Sequence, residues 1–341
     1  MSTLQVVLAP VLFAIERSRA GPTKTFKSVL ITGASSGLGA GLAIAYAKPG
    51  VLIAITGRNK ERLEAVAQKC KDKGAQVFLG LASLCLLNRN VQVEIGLVDV
   101  VDAKNLAEFI LKVDAIVPLD LVIANAGITG VSEGSKEGYT FQQSISDVTN
   151  INVLGVTNTI LPIIPKLCER KAGQVVIMGS LSGYMPFQLA PDYGATKAAV
   201  SSLSRALRPY LASFNVGMTL ITPGFVRTDL LQSTEKYPFE ISLDEVGERE
   251  TFVSFFFFFF LNSVIYFVKA TPIMLDGIAR NVNVLAFPFV PALITTMLGR
   301  WDPITLSVLG PVLFTRMTKK ITKLVTGQDV VSTKKSKSKT N

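Results

Sequence analysis

The 341 residues are 49% hydrophobic and 18% charged, with 35 Lys and Arg against 25 Asp and Glu for a formal charge of +10, enough apolar material for one large α/β domain with additions. No histidine occurs anywhere, which excludes Ser-His-Asp hydrolysis and Cys-His proteolysis and removes the commonest metal ligand. Three cysteines, Cys70, Cys85 and Cys168, have neither close pairing nor zinc-ligand spacing, so no metal site or disulfide framework is expected, and a reducing compartment is.

Residues 4–15 (LQVVLAPVLFAI) form an apolar run too short to cross a bilayer unaided, followed by Glu16, Arg17 and Arg19. As part of an N-terminal extension over 1–26 it reads as a membrane-surface segment, a poorly cleaved signal or a packed arm. From Lys27 onward short apolar runs alternate with amphipathic stretches, the pattern of a parallel sheet covered by helices on both faces. SVLITG is the first predicted strand. GLGAGLAIAYAKPG is a helix stopped by Pro49 and Gly50, and VLIAITG is the second strand. In the next helix Leu63, Val66, Ala67 and Cys70 recur at helical spacing, with Glu61 and Glu64 early, Lys69, Lys71 and Lys73 late, and Gly74 as the stop. Further strands are expected at VEIGLVD, LDLVIAN, GQVVIMG and GMTLITPG. Each ends on a polar or glycine-rich residue, where open α/β sheets place their ligands.

Two tracts interrupt this order. Deleting Val77–Gln92 joins KGAQ to VEIGLVDV, an ordinary helix, turn and strand; deleting Val246–Lys269, with its six phenylalanines Phe255 to Phe260, joins SLDE to ATPIMLDGIAR as one helical pattern. Both begin with Val, whose codons start GT, and end with Gln or Lys, whose codons can end AG. A run of Phe is also what a pyrimidine-rich tract encodes. Both tracts therefore read as introns retained in frame. The rival for the second is a membrane-spanning insertion, which would leave its flanks on opposite sides of the bilayer.

The chemistry lies at the strand ends. TGASSGLG places Gly33, Gly37 and Gly39 where backbone can approach a pyrophosphate at a helix N-terminus. After the second strand stand Gly57 and Arg58, where folds that prefer NAD present a carboxylate to the ribose 2′-hydroxyl. With no carboxylate to repel a 2′-phosphate and a guanidinium to bind it, NADP(H) is favoured over NAD(H). Asp99 follows the third strand, and Asn125-Ala126-Gly127 the fourth. Ser180 ends the fifth, and Tyr193 comes thirteen residues later in YGATK. Tyr193 and Lys197 are four apart, so both project from one helix face. A phenol with a pKa near ~10 is a poor acid or base at neutral pH, and a neighbouring ammonium is expected to lower that value. Tyr193 then takes the acid–base part that histidine plays elsewhere.

Over about residues 27 to 230 the chain resembles the short-chain dehydrogenase/reductase family. The resemblance implies a single Rossmann-like, doubly wound parallel sheet of about seven strands. It implies that Tyr193 exchanges the proton while Lys197 binds the nicotinamide ribose and tunes Tyr193. Ser180 would hydrogen-bond the substrate oxygen, and Asn152, in NINVLG, would hold a water linking Lys197 to solvent. Ser182 is the rival to Ser180, which has the family's usual interval to Tyr193. Thr32, Gly33, Ser35, Ser36, Gly37, Leu38 and Gly39 would form the cofactor loop, with Arg58 on the adenosine phosphate and Asp99 near adenine. Asn125, Ala126 and Gly127 would line the cofactor, and Pro223, Gly224 and Thr228 would bracket the nicotinamide amide. Homodimers or homotetramers through the helices bearing Asn152 and Tyr193 are also implied.

After Asp276 the chain is apolar but broken by Pro288, Pro291, Pro303 and Pro311, which argues against one continuous spanning helix. A domain over 27–290 is expected to carry a hydrophobic extension over 291–318 that caps an apolar cleft or rests on a membrane. The lysine-rich tail over 319–341 reads as solvated. Without aromatic platforms or a basic recognition motif, nucleic acid is excluded as a partner. The whole describes an NADP(H)-dependent oxidoreductase of a lipophilic carbonyl or secondary alcohol, cytoplasmic or at the cytosolic face of the endoplasmic reticulum; Lys337 and Lys339 are placed like a retrieval signal, but in so lysine-rich a tail coincidence is the favoured reading. The alternative is a non-catalytic NADP-binding redox sensor or scaffold on the same fold.

Overall fold

The computed structural model describes residues 23–79, 98–130, 140–184, 190–224, 226, 253–254, 264–265 and 270–287. Its strands are short apolar runs because helices cover both faces of the sheet, leaving no solvent side to demand alternation. Thus β1 (Ser28–Ile31, SVLI), β2 (Leu52–Ile55, LIAI), β4 (Leu121–Ala124, LVIA), β5 (Gln174–Met178, QVVIM) and β6 (Gly217–Pro223, GMTLITP) are buried at every position. With β3 (Gln76–Leu79) and β9 (Val284–Phe287) they form one seven-stranded parallel sheet in the order β3-β2-β1-β4-β5-β6-β9. Strand order reverses between β1 and β4, opening the crevice in which doubly wound sheets bind ligands.

The helices divide between the faces. On one, α1 (Gly37–Tyr46), α2 (Lys60–Asp72) and α8 (Ala270–Ala279) contribute Leu42, Ala43, Leu63, Val66, Met274 and Ile278 to a core cluster. On the other lie α3 (Ala103–Ile116), α4 (Phe141–Thr149), a π-helical turn over Asn150–Leu154, α5 (Gly155–Ile160), α6 (Ile164–Arg170) and α7 (Pro191–Ser213). Leu106, Ile110, Ile160, Leu167, Val200 and Leu211 fill that second cluster. The α2 signals act as the spacing predicts: Asn59 caps the helix by accepting from the Arg62 N–H at 2.9 Å, and Leu63, Val66, Ala67 and Cys70 are buried. Gly74 closes it at φ +80°, against the Pro49 ring. The stretch Phe141–Arg170 has the length and mean hydropathy of a membrane span, but half of its most apolar window is buried in the second core, as in a packed helix of a globular domain.

One expectation changes. The place beside β2 expected for VEIGLVD is taken by Gln76–Leu79, which begins one residue before the first interrupting tract. The sequence holds two copies of one pattern, Gln76-Val77-Phe78-Leu79-Gly80-Leu81 and Gln92-Val93-Glu94-Ile95-Gly96-Leu97. The first copy follows α2 after a turn of a few residues, so it reaches the sheet edge with the shorter connection; Val93–Leu97 lies outside the described residues. In the second tract, β7 (Val253–Ser254) and β8 (Val264–Ile265) pair antiparallel apart from the main sheet. Beyond it α8 starts at Ala270, where the helical pattern of ATPIMLDGIAR begins. The N-terminal run, the extension after Phe287 and the lysine tail also lie outside the described residues.

Candidate active site

The cofactor-loop residues are assembled largely by the absence of side chains. Gly33 adopts φ +67°, and a Cβ there would stand 2.6 Å from the Ala126 Cα; a Cβ on Gly39 would stand 2.5 Å from both the Asn125 Nδ2 and the Gly33 carbonyl oxygen. Gly37, at φ +56°, lets the chain turn into α1. Thr32 and Asn125 tie this loop to the end of β4. The Asn125 and Ala126 N–H groups donate to the Thr32 hydroxyl at 3.2 and 3.3 Å, and Asn125 Nδ2 donates to the Thr32 and Gly33 carbonyls at 2.9 and 3.1 Å. Asn125 is thus a clamp on the loop.

Helix α1 starts at Ser36 with no side-chain cap and no acidic residue in its first turn. Its first N–H groups and positive dipole end therefore suit a pyrophosphate, and the dinucleotide fits the residues present. Ser35 lies against Gly57, whose Cβ would approach the Ser35 Cβ at 3.1 Å, while Leu38 packs partly buried on the first core. Arg58 is exposed beside them. Asp99 stands in the turn before α3, its carboxylate accepting from the Val101 N–H at 3.2 Å. That turn is seated on the helix pair below it: Asn158 donates to the Val100 carbonyl at 2.9 Å, and Gly155 leaves room for the Val100 side chain.

The opposite wall is built from side chains. The Ser180 hydroxyl, at the end of β5, accepts from the Ser182 N–H at 3.1 Å and hydrogen-bonds the Tyr193 phenol. Of the two serines, Ser180 meets Tyr193. Lys197 is buried, with Nζ donating to the Met178 carbonyl at 2.9 Å and lying 5.6 Å from the Tyr193 ring centre. Burial pushes the Lys197 ammonium down to about 8. The expected lowering of the Tyr193 pKa does not occur in this state. Burial raises the phenol above its ordinary value, and the Ser180 hydrogen bond only partly offsets that. The physical reason is that desolvating a phenolate outweighs its one offsetting partner, Ser180, while the Lys197 ammonium donates to the Met178 carbonyl.

Asn152 sits in the π-helical turn with its carboxamide fully occupied on the amide side: Nδ2 donates to the Ile128 carbonyl at 2.9 Å and to the Thr196 hydroxyl at 3.1 Å, and Oδ1 accepts from the Ile128 N–H at 2.8 Å. A Cβ on Gly127 would stand 3.1 Å from Asn152 Oδ1 and 3.4 Å from Lys197 Nζ, so these two groups flank the same small gap. Thr196 also donates to the Tyr193 carbonyl at 2.8 Å, joining Asn152 to the helix of Tyr193 and Lys197. Thr196 and the Met178 carbonyl were not readable as site groups in the sequence; the Thr beside the Lys in YGATK was the only signal. Pro223 ends β6 at the same sheet edge, followed by Gly224, and Thr228 lies outside the described residues. Among the described residues no cluster of three His, Cys, Asp or Glu forms a metal site.

A glycine-shaped loop at the β1–β4 crevice, facing a Ser-Tyr-Lys-Asn group, is the arrangement of a dehydrogenase of the doubly wound class. Residues 27–238 match the family model for short chain dehydrogenase. An uncharacterized oxidoreductase of Staphylococcus saprophyticus is 30% identical over 213 residues, 61% of this chain and 82% of that one. An 11-beta-hydroxysteroid dehydrogenase-like protein of Arabidopsis thaliana is 32% identical over 228 residues, 66% of this chain and 68% of the other. Among solved structures, a short-chain dehydrogenase from Sphingobium yanoikuyae in complex with NADPH superposes with a TM-score of 0.59 at 21% identity, covering 90% of this chain and 98% of that one. The chain belongs to the short-chain dehydrogenase family, and it is an oxidoreductase of that family acting on a small-molecule substrate.

Proposed function

We propose that this protein is an NADP(H)-dependent reductase, or the reverse dehydrogenase, of a lipophilic ketone, aldehyde or secondary alcohol, with Tyr193 as its proton-transfer group. The carrying observation is the contact of Ser180 with Tyr193 beside buried Lys197, at the strand ends next to the glycine loop. When bound, the nicotinamide supplies or accepts hydride at the substrate carbon. Ser180 hydrogen-bonds the substrate oxygen, and Tyr193 gives that oxygen its proton during reduction. The raised phenol pKa suits this direction, since Tyr193 is protonated at neutral pH. Lys197, most of it charged at pH 7 with a pKa of about 8, stabilises the phenolate left behind. Asn152 fixes the Ile128 backbone next to Lys197, on the side where a proton would return from solvent.

The preference for NADP(H) rests on the end of β2. No carboxylate stands at position 57, where a Cβ would crowd Ser35 at 3.1 Å, and exposed Arg58 is placed to meet a 2′-phosphate. Support for a lipophilic substrate comes from the apolar sequence after Asp276 and from the name borne by the Arabidopsis relative. Exposed Phe141, Ile145, Leu154 and Leu161, along the helices on either side of Asn152, suit a homodimer or homotetramer. The tracts 77–92 and 246–269 are proposed as retained introns, and contact with the cytosolic face of a membrane as the work of the apolar ends.

The test is NADPH oxidation by purified protein across a panel of lipophilic carbonyl compounds. Turnover is expected with NADPH and weakly or not at all with NADH, and Tyr193→Phe should lose about 10²–10⁴-fold in rate while still binding NADPH. A Tyr193→Phe protein that turns over like the wild type sinks the assignment of the proton. NADPH binding with no turnover by either protein on the whole panel would favour the redox-sensor reading.

A further inference from the structure

Asp192, the residue before Tyr193, is a buried carboxylate that the proton-transfer scheme does not use. Its Oδ1 accepts from the Tyr193 N–H at 2.8 Å, and its Oδ2 accepts from the Ser144 hydroxyl of α4 at 2.7 Å. Gly130, in the segment that follows Asn125-Ala126-Gly127, is packed against the same carboxylate, so closely that any Cβ there would collide with it. One side chain thus touches α7, α4 and the segment leaving β4. No cation is within bonding reach of it among the interactions described, so its contacts are those of a geometric anchor.

We propose that Asp192 is a positioning residue for the reaction: it locks the first turn of α7 so that Tyr193 stays on Ser180 and beside Lys197. Two hydrogen-bonded rungs join α7 to the α4 segment. The first is Asp192 to Ser144, and the second is Thr196 to Asn152. Tyr193 lies between the two rungs in the chain, and Lys197 follows the second immediately. A single rung would leave the helix free to roll or tilt about that point, whereas two fix its rotation. The far side is itself rigid, because α4 begins with a reciprocal capping box in which Gln143 N–H donates to the Thr140 hydroxyl at 3.2 Å and Thr140 N–H donates to the Gln143 side chain at 2.8 Å. The Gly130 contact adds a third support from the loop that carries the cofactor-lining residues.

This inference rests on Tyr193 being the proton-transfer group, so Tyr193→Phe is assayed in parallel. In Asp192→Ala, kcat is expected to fall about tenfold or more, the cost of a small misplacement, while NADPH affinity and the KM for NADPH stay within about twofold. Asp192→Asn is expected to restore kcat to within about threefold of wild type, because its Oδ1 still accepts from Tyr193 N–H and its amide donates to the Ser144 oxygen. Ser144→Ala, which removes one rung and leaves the Tyr193 N–H contact, should lower kcat in the same direction by a smaller factor. It carries the test if Asp192→Ala does not fold. Wild-type kcat in both Asp192→Ala and Ser144→Ala overturns the proposal, and so does an Asn variant as impaired as the Ala variant, which would mean that the charge and not the geometry matters. If Tyr193→Phe keeps its turnover, the proton assignment falls and takes this proposal with it; if it is inactive while the Asp192 variants are normal, only the positioning role falls.

Discussion

The two halves of the sheet reach the crevice by opposite means. The β1–β3 half makes its wall by leaving atoms out: Gly33, Gly39 and Gly57 sit where a Cβ would stand 3.1 Å or less from a neighbour. The β4–β6 half makes its wall chiefly from hydrogen-bonded side chains, Asn152, Asp192, Thr196 and Lys197, all buried, to which Gly127 and Gly130 give room. Binding a dinucleotide asks for close backbone approach, which only missing side chains allow, while moving a proton asks for groups held in fixed orientation. Damage should therefore follow addition of atoms on one side and their removal on the other.

The sharpest way to break that contrast is Gly39→Val. The new side chain must displace Asn125, the clamp on Thr32 and Gly33, or the Gly33 carbonyl itself. Overpacking of this kind costs about 1–3 kcal/mol, so NADPH binding should weaken by about tenfold to a hundredfold; wild-type affinity by fluorescence titration would show that the loop does not need the gap. Next in size is Arg58→Ala, a removal on the side where removals should be mild. It should raise the KM for NADPH about tenfold, the worth of a charge-assisted hydrogen bond, and leave that for NADH unchanged. An equal effect on both cofactors would detach Arg58 from the 2′-phosphate.

A smaller effect concerns Lys197 and pH. Its folded pKa of about 8 lies below the ordinary 10.5 because burial penalises the ammonium. Between those values the unfolded chain binds more protons, so this residue makes stability rise with pH from about 8 to 10.5 and contributes no slope below that window. The difference in Tm between wild type and Lys197→Met should shift in favour of the wild type over that window. A pH-independent difference would mean that Lys197 is better solvated than its burial indicates. The smallest expected effect is that of removing residues 77–92. Gln76 would then be followed by Val93, keeping the Gln-Val-x-x-Gly-Leu pattern, and the shortened chain should fold, bind NADPH and melt no lower than the full one. Loss of the folded state would show that the tract belongs to the domain.

Much of this molecule is legible along the chain. The β1, β2, β4, β5 and β6 runs, the α2 periodicity and the glycine loop all announce themselves through contacts a few residues apart. The third strand was misplaced because two segments carry the same pattern and a linear reading has no measure of which reaches the sheet edge first. Asp192 carries no signal in the sequence, since its partner Ser144 is 48 residues away. Thr196 was passed over for the same reason, with Asn152 44 residues distant. The ionisation of Tyr193 was read from its neighbour Lys197 alone, without the burial that outweighs it.

By itself the sequence determined the family, the parallel-sheet pattern and the identity of the chemical groups, because strand hydrophobicity, turn glycines and the Tyr-Lys spacing are local properties. Only the tertiary structure decided which serine meets Tyr193, which segment fills the third strand, and that Asp192 and Thr196 of α7 bond Ser144 and Asn152. Those depend on contacts across tens of residues and on desolvation, and both come into being only when the helices close over the sheet.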